Sequence, residues 1–137
     1  MCNINKPLPE EVKEITGYKV VTKNHAGRYI GLYTHALVKV GKVADHSKNI
    51  FIKRMYNPAQ IHLYNENMIG RISCFKDLEA ATLLGSNARN YCVDKRVLKI
   101  TLRDGLMEGD SSRMYGIEDS WVTYAGKEVV SFEEVKF

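Results

Sequence analysis

The chain has 137 residues, of which 45% are hydrophobic and 26% are charged. These values are typical of a single globular domain and argue against a disordered or collagen-like chain. The longest apolar runs are a few residues, far short of the roughly 20 that a membrane-spanning helix needs. We therefore expect a cytoplasmic domain that does not contact a membrane.

The charge is distributed unevenly around a net value of +4. Residues 1–103 contain 17 basic and 8 acidic side chains, whereas residues 104–137 contain 3 basic and 8 acidic ones. Such an asymmetry can mark a face for an anionic partner. It can equally cancel when the two ends of the chain fold together, and the sequence leaves both interpretations open.

The cysteines Cys2, Cys74 and Cys92 are odd in number and lack a CxxC spacing. This pattern predicts free thiols in a reducing compartment rather than a disulfide framework. It also lacks the short paired spacings of a zinc site. We predict neither a metal nor a cofactor.

The N-terminal residues 1–16 are predicted to form an arm or a short helix, because Pro7 and Pro9 precede an acidic stretch. Residues 17–137 are predicted to form a single domain. Its first elements are strands over residues 18–23 and 28–33, joined as a hairpin by a turn rich in asparagine and glycine.

The middle of the chain carries weaker signals. Residues 37–40 alternate partly and extend the sheet, whereas residues 41–49 are polar and loop-like. A short strand over residues 50–52 ends at the turn signal Asn57-Pro58. Residues 59–67 are compatible with one helical turn or with a strand.

The clearest local signal is a strand over residues 71–75 that leads into a helix. Asp77 is placed to cap the first helical amides, an apolar stripe follows over residues 78–84, and Gly85 suits the end of the helix.

Residues 96–102 alternate best and predict a strand with one apolar face. A turn at Asp104-Gly105 follows. Residues 121–124 and 128–132 predict a second hairpin, closed by residues 125–127. Together these elements predict an α+β fold, in which an antiparallel β-sheet and one main α-helix make a single compact domain.

Common catalytic signatures are absent from the sequence, including GxGxxG, the Walker loop, HExxH and GxSxG. The four histidines show no metal-ligand spacing. A Cys–His pair that meets only in space stays open. We therefore favour a protein without catalytic activity and rank a small nucleotide hydrolase last.

Arginines that lie close to tyrosines in the sequence supply the chemistry of a nucleotide site. A guanidinium fork matches phosphate oxygens, and an aromatic ring stacks on a base. The alternative is structural: a strand-edge surface for the arginines, loop hydrogen bonding for the asparagine and a core position for the phenylalanine. The candidate ligand-binding residues are Arg28, Arg71, Phe75, Asn87, Arg89, Arg113 and Tyr115.

Three stretches carry a resemblance to a known class of protein. They are Gly17-Tyr18-Lys19-Val20-Val21, then Gly27-Arg28-Tyr29, and then the strand-to-helix unit over residues 70–81. Over residues 17–103 the chain resembles small phage-encoded accessory proteins, including the anti-Thoeris and anti-CBASS type sponges of nucleotide signals. The acidic segment Trp121 to Phe137 has no counterpart in them.

The resemblance implies a phage or prophage anti-defence protein that acts in the cytoplasm of the host. It would bind and sequester a small anionic, cyclic nucleotide without turning it over, as a homo-oligomer. The alternative is an anti-CRISPR-like inhibitor that binds a host defence protein. That inhibitor would use the basic residues 39–54 or the acidic C-terminal segment as a nucleic-acid mimic.

Overall fold

The computed structural model describes residues 2–31, 37–44, 66–87, 94–111 and 121–136. Of these residues, 57% lie in strands that form a curled antiparallel half-barrel. The strands are β1 (Cys2–Pro7), β2 (Glu14–Lys23), β3 (Tyr29–Gly31), β4 (Leu37–Val38), β5 (Gly41–Lys42), β6 (Ile72–Phe75), β7 (Lys95–Arg103), β8 (Met107–Ser111), β9 (Val122–Gly126) and β10 (Glu128–Val135). A 3-10 helix covers Glu66–Met68, and the α-helix α1 covers Leu78–Asn87.

The strands follow the order β1-β8-β9-β6-β2-β7-β10-β5 in one sheet. The long strand β2 pairs with β7 along one edge. Its other edge is shared, because β6 pairs with it at Tyr18 and β3 pairs with it from Val21 to Lys23. Strand β4 pairs with β3, so the sheet curls back towards β10.

Alternation along β7 sorts its side chains between two faces, as the sequence predicts. Leu98, Ile100 and Leu102 are fully buried on the inner face of the half-barrel, whereas Lys99 and Arg103 are exposed on the outer face. The inner side chains pack with Val21, Val38, Ile72, Cys74, Leu106 and Val129 in the larger core cluster. Burial of these apolar side chains is the main term that stabilises the sheet.

Helix α1 covers the opposite face of the sheet near one end of β2. Ala80, Ala81 and Leu84 pack there against Val20 and Val97. The carbonyl of Asp77 accepts a hydrogen bond from the Ala81 N–H at 3.5 Å, so Asp77 occupies the predicted cap position. The helix continues past Gly85, which is buried, and the predicted stop at that glycine is wrong.

The predicted β2–β3 hairpin is confirmed. The Asn24 Oδ1 accepts hydrogen bonds from the N–H groups of Ala26 and Arg28, both at 3.0 Å. Gly27 has a φ of 77°, a left-handed conformation that glycine adopts without steric cost.

The second predicted hairpin is wrong in its pairing, although both of its strands form. Strand β9 pairs with β6 and β8, whereas β10 pairs with β7 and β5. Lys127 joins the two strands, and its backbone forms hydrogen bonds with residues outside both of them. Its N–H donates to the Asp104 carbonyl and its carbonyl accepts from the Val43 N–H, both at 2.8 Å. These bonds direct β9 and β10 to different neighbours.

Two further expectations need correction. Residues 2–7 form β1 and residues 14–16 begin β2, where the sequence suggested an arm or a short helix. The N-terminal segment is a strand because β8 offers it a free edge to pair with. The domain is also more β than the α+β prediction implies. The predicted strand over residues 50–52, the Asn57-Pro58 turn and most of residues 59–67 lie outside the described residues.

Candidate functional site

The half-barrel has a seam, which we define as the gap between β4 and residues 130–135 of β10. One edge of β10 pairs with β7 as far as Val135. The other edge pairs with β5 only at Glu128 and Val129. Beyond that point the chain before β5 turns away, since β4 pairs with β3 instead. Among the described strands, none pairs with β10 along the seam.

A cleft of about 430 Å³ lies at this seam. Its volume falls within the roughly 300–1,000 Å³ of small-ligand sites. Apolar groups make most of its lining, and two cationic residues, Arg28 and Lys39, join them. The lining residues are Gly27, Arg28, Tyr29, Leu37, Val38, Lys39 and Phe132.

Two aromatic rings meet across the seam. The ring centroids of Tyr29 and Phe132 are 5.7 Å apart, and the ring planes make an angle of 82°, an edge-to-face arrangement. Tyr29 lies directly opposite Lys23 in the β2–β3 ladder, so both side chains project from the same face. The Lys23 Nζ lies 5.6 Å from the centre of the Tyr29 ring, within cation–π range.

A network of charged side chains lies beside the two rings, and Glu134 connects it to the hydroxyl of Tyr29. The Arg96 Nε donates to Asp94 Oδ1 at 2.8 Å, and its Nη1 donates to Glu134 Oε1 at 3.1 Å. Burial raises the pKa of the Tyr29 hydroxyl above its ordinary value, and its hydrogen bond to Glu134 raises this pKa further. Hydrogen bonding from Arg96 lowers the pKa of Asp94. Arg96 is therefore committed to carboxylates of its own chain.

The two cations of the cleft differ from Arg96 in this respect. Arg28 and Lys39 are both exposed. Within the part of the chain that the structure describes, neither side chain forms an ion pair. Two unpaired cations beside an apolar, aromatic-lined cleft can neutralise an anionic group without first breaking an existing salt bridge.

The structure does not bring the predicted site residues together. Arg28 follows the β2–β3 turn, next to Lys23, whose N–H donates to Asp94 just before β7 begins. The Arg71 Nε donates to the carbonyl of Gly105, just after β7 ends. A strand of nine residues separates these places by roughly 26 Å. Arg28 and Arg71 are therefore too far apart to share one nucleotide.

Arg71 and Phe75 have structural positions. The Arg71 guanidinium also donates from Nη1 to the Asn67 carbonyl at 3.0 Å, so it joins three segments of backbone. Phe75 is 5% exposed and packs in the core beneath α1, where its ring has no face to offer a base. The contacts of both residues therefore agree with a structural role rather than with ligand binding.

The remaining predicted site residues cannot be placed in the same way. Asn87 is the last residue of α1. Arg89, Arg113 and Tyr115 lie outside the described residues.

The sequence did not identify Lys39, Tyr29 and Phe132 as parts of one site. Tyr29 directly follows Arg28 in the sequence, and Phe132 ends the predicted strand over residues 128–132. What the sequence lacked was the position of β10, since the hairpin assigned to β9 and β10 placed Phe132 beside the wrong strand. No local motif records that β10 pairs with β7.

Three comparisons of the chain, with protein-family models, with curated proteins and with solved structures, found no match. Among the residues that the structure describes, no group of three or more His, Cys, Asp or Glu side chains could hold a metal ion. No helix within the described ranges is long and apolar enough to cross a membrane. The cleft at the seam combines a cavity, two aromatic rings and two exposed cations.

Proposed function

We propose that this protein binds a small anionic nucleotide at the seam cleft and holds it without chemical change. The observation that carries the proposal is the combination, in one cleft, of the rings of Tyr29 and Phe132 with Arg28 and Lys39, which form no ion pair with any described residue. In the proposed complex the two cations bind phosphate oxygens, while the aromatic wall contacts the base.

The composition of the cleft supports a nucleotide over a purely ionic ligand. A free phosphate would use the cations and leave the apolar lining in contact with water. A nucleotide buries that lining with its base and presents its phosphate to the exposed rim, so it uses both parts. Because Arg96 is already bound by two carboxylates, we assign the phosphate to Arg28 and Lys39 instead.

The biological role that we propose follows the resemblance to phage sponges. Held in the cleft, a cyclic nucleotide made as a signal of bacterial immunity would be removed from its receptor. Sequestration requires affinity and a slow release, and it requires no catalytic group. This makes the protein a proposed anti-defence factor of a phage or prophage.

Isothermal titration calorimetry of the purified chain tests the proposal. The panel consists of cyclic dinucleotides, cyclic trinucleotides and cyclic ADP-ribose isomers. We expect heat with at least one member, and we expect that nucleotide to be recovered unaltered by chromatography. Arg28→Ala and Lys39→Ala should each weaken its binding by about tenfold or more, the usual cost of losing a charged hydrogen bond.

Lys99→Ala is the matched control, because Lys99 is an exposed lysine on the outer face of the sheet, away from the cleft. It should leave the affinity unchanged. Absence of heat with every member, from protein that is folded by circular dichroism, would disprove the proposal. A stable host protein that co-purifies with the chain, without a bound nucleotide, would instead support the protein-binding inhibitor.

A further inference from the structure

The inner face of the half-barrel changes from apolar to charged beside the seam cleft. Leu98 and Ile100 of β7 are fully buried on this face, whereas Arg96, which follows the same alternation, has a partly exposed side chain. Glu134 lies directly opposite Leu98 and therefore projects from the same face as Phe132. The sheet thus places a carboxylate on the inner face, two residues from an aromatic ring of the cleft.

Two donors of the same chain orient the Glu134 carboxylate. The Arg96 Nη1 donates to Oε1 at 3.1 Å, and the Tyr29 hydroxyl donates to the same carboxylate. An ionised carboxylate has about four acceptor positions on its two oxygens, so two described donors leave further positions for a ligand. The Glu134 side chain is 34% exposed, so a ligand can reach it. The cleft therefore has beside it an oriented group that accepts hydrogen bonds and donates none.

The cations of the cleft and this carboxylate lie at different ends of the Tyr29 side chain. Arg28 directly precedes Tyr29, and Lys39 directly follows the residue that pairs with Tyr29 in the β3–β4 ladder. Both cations therefore branch from backbone next to the start of the Tyr29 side chain, whereas Glu134 contacts the hydroxyl at its tip. A nucleotide that lies along the ring with its phosphate on the cations directs the edge of its base towards Glu134.

We propose that Glu134 selects the base, and that the nucleotide bound in the cleft contains guanine. This inference rests on the proposed function and names the class of its ligand. Guanine presents two neighbouring donors on its Watson–Crick edge, the ring N–H and the exocyclic amino group, and these match the two oxygens of a carboxylate. Adenine and cytosine present one amino donor beside a ring-nitrogen acceptor, and uracil presents one N–H between two carbonyl acceptors. Those acceptors would face the negative carboxylate.

A metal ion matches this position less well than a base does. Asp94 and Glu134 both accept from Arg96, so a cation placed between the two carboxylates would meet the charge of the guanidinium. A neutral edge that donates hydrogen bonds adds to the network without displacing Arg96. The contacts of Glu134 therefore favour a base over a cation.

Isothermal titration calorimetry with matched nucleotides tests the inference. The probes are cyclic mononucleotides and cyclic dinucleotides, each prepared with guanine, hypoxanthine or adenine. Hypoxanthine retains the ring N–H of guanine and lacks the amino group, whereas adenine presents a ring-nitrogen acceptor in place of that N–H. We expect the guanine probe to bind most tightly in its set. The hypoxanthine probe should bind roughly ten- to hundredfold more weakly, the cost of one hydrogen bond to a charged group, and the adenine probe more weakly still.

Glu134→Gln separates recognition of the base from a structural role. Glutamine retains an oxygen that can accept from Arg96 and Tyr29, and it replaces the other oxygen with an amino donor. The guanine probe should therefore bind about tenfold or more weakly to this variant, while the adenine probe should bind at least as well as before. Glu133→Gln is the matched control, because Glu133 is exposed on the outer face opposite Lys99. It should leave the ranking of the three bases unchanged.

The outcomes separate this inference from the proposed function. Nucleotides that bind without a preference for guanine overturn the inference and leave the nucleotide cleft supported. An equal loss of affinity for all three bases in Glu134→Gln also overturns it, because Glu134 then only supports the shape of the cleft. Absence of heat with every nucleotide, from folded protein, overturns the inference and the proposed function together.

Discussion

The two ends of the sheet are stabilised by different kinds of polar contact. At the closed end, which comprises β1, β8, β9 and β6, one exposed ion pair joins Lys6 to Glu108 at 3.6 Å, and the other side-chain contacts are donations to backbone carbonyls. Asn67 donates to Ile4, Arg71 donates to Gly105, and the Lys19 Nζ donates to the Ser73 carbonyl at 3.0 Å. These bonds attach strands and turns to one another at partly buried positions.

At the open end, which comprises β10, β5, β4 and β3, charged side chains pair with one another at the surface. Arg96 binds Glu134, and Arg103 binds Glu128. The rings of Tyr29 and Phe132 bridge the seam where no described backbone pairing does.

The difference separates stability from binding. A partly buried carbonyl that loses its charged or amide donor is poorly reached by water, so the bonds of the closed end are costly to remove. Exposed ion pairs are exchanged for water at little cost, and an unpaired edge leaves backbone groups available. We infer that the closed end fixes the fold, and that the open end is where a ligand can be added.

The largest effect that we expect comes from the close approach of β2 to β6, the strand of the closed end beside it. Gly17 of β2 is buried, and a Cβ built there would lie 2.5 Å from Cys74 Sγ and 2.5 Å from the Phe75 carbonyl oxygen. Backbone cannot move aside as a flexible side chain can. Gly17→Ala should therefore lower the free energy of unfolding by about 3 kcal/mol, measured by urea denaturation.

The neighbouring substitution Thr16→Ala provides the control for this experiment. Thr16 is exposed, and its Oγ1 shares only one surface hydrogen bond with Thr101 at 3.1 Å. Its effect should be a few tenths of a kcal/mol. If Gly17→Ala unfolds with the free energy of the wild type, β2 and β6 do not approach each other as described.

The second prediction compares one arginine at each end. Arg71→Met should cost about 2–3 kcal/mol, because it leaves the carbonyls of Gly105 and Asn67 without their charged donor. Arg103→Met removes an exposed ion pair instead and should cost much less. Methionine retains an unbranched side chain at both sites. Equal losses in urea denaturation would remove the distinction between the two ends.

The sequence predicted most of the local structure correctly. Alternation identified β7, and the asparagine and glycine of residues 24–27 identified the β2–β3 turn. Asp77 identified the start of α1. Each of these signals is contained within a few consecutive residues, because strand periodicity, turn conformation and helix capping depend on local geometry.

What the sequence did not predict depends on which strands meet. The pairing of β1 with β8 made residues 2–7 a strand, and nothing within those residues signals their partner. The prediction of the candidate site was incomplete for the same reason. Arg28 was identified from its chemistry, but Lys39 lies beside it because β4 pairs with β3, and Phe132 of β10 approaches only when the sheet curls. Arg71 and Phe75 had suitable chemistry and were placed elsewhere by the fold.

The smallest effect that we expect concerns the Arg103–Glu128 pair at the open end. The two residues lie directly opposite each other in the β7–β10 ladder. The Arg103 Nε donates to Oε2 of Glu128 at 2.6 Å, and its Nη2 donates to Oε1 at 3.0 Å. These hydrogen bonds lower the pKa of Glu128 below its ordinary value.

The direction of the pH dependence follows from that lowered pKa. The folded state favours the ionised carboxylate, so the pair stabilises the fold above the ordinary pKa of a glutamate, about 4.3. This contribution is lost as the pH falls through the lower pKa of the folded state. Thermal unfolding of the wild type and of Glu128→Gln should therefore differ slightly at neutral pH and converge in acid.

Salt provides a second way to test the same pair. Both side chains are reached by water, so added salt should reduce the small difference between the wild type and Glu128→Gln. The loss caused by Arg71→Met should persist in the same salt, because a partly buried carbonyl that has lost its donor is not restored by added salt. If the Glu128→Gln difference instead persists in high salt and in acid, the open end contributes to stability in the same way as the closed end.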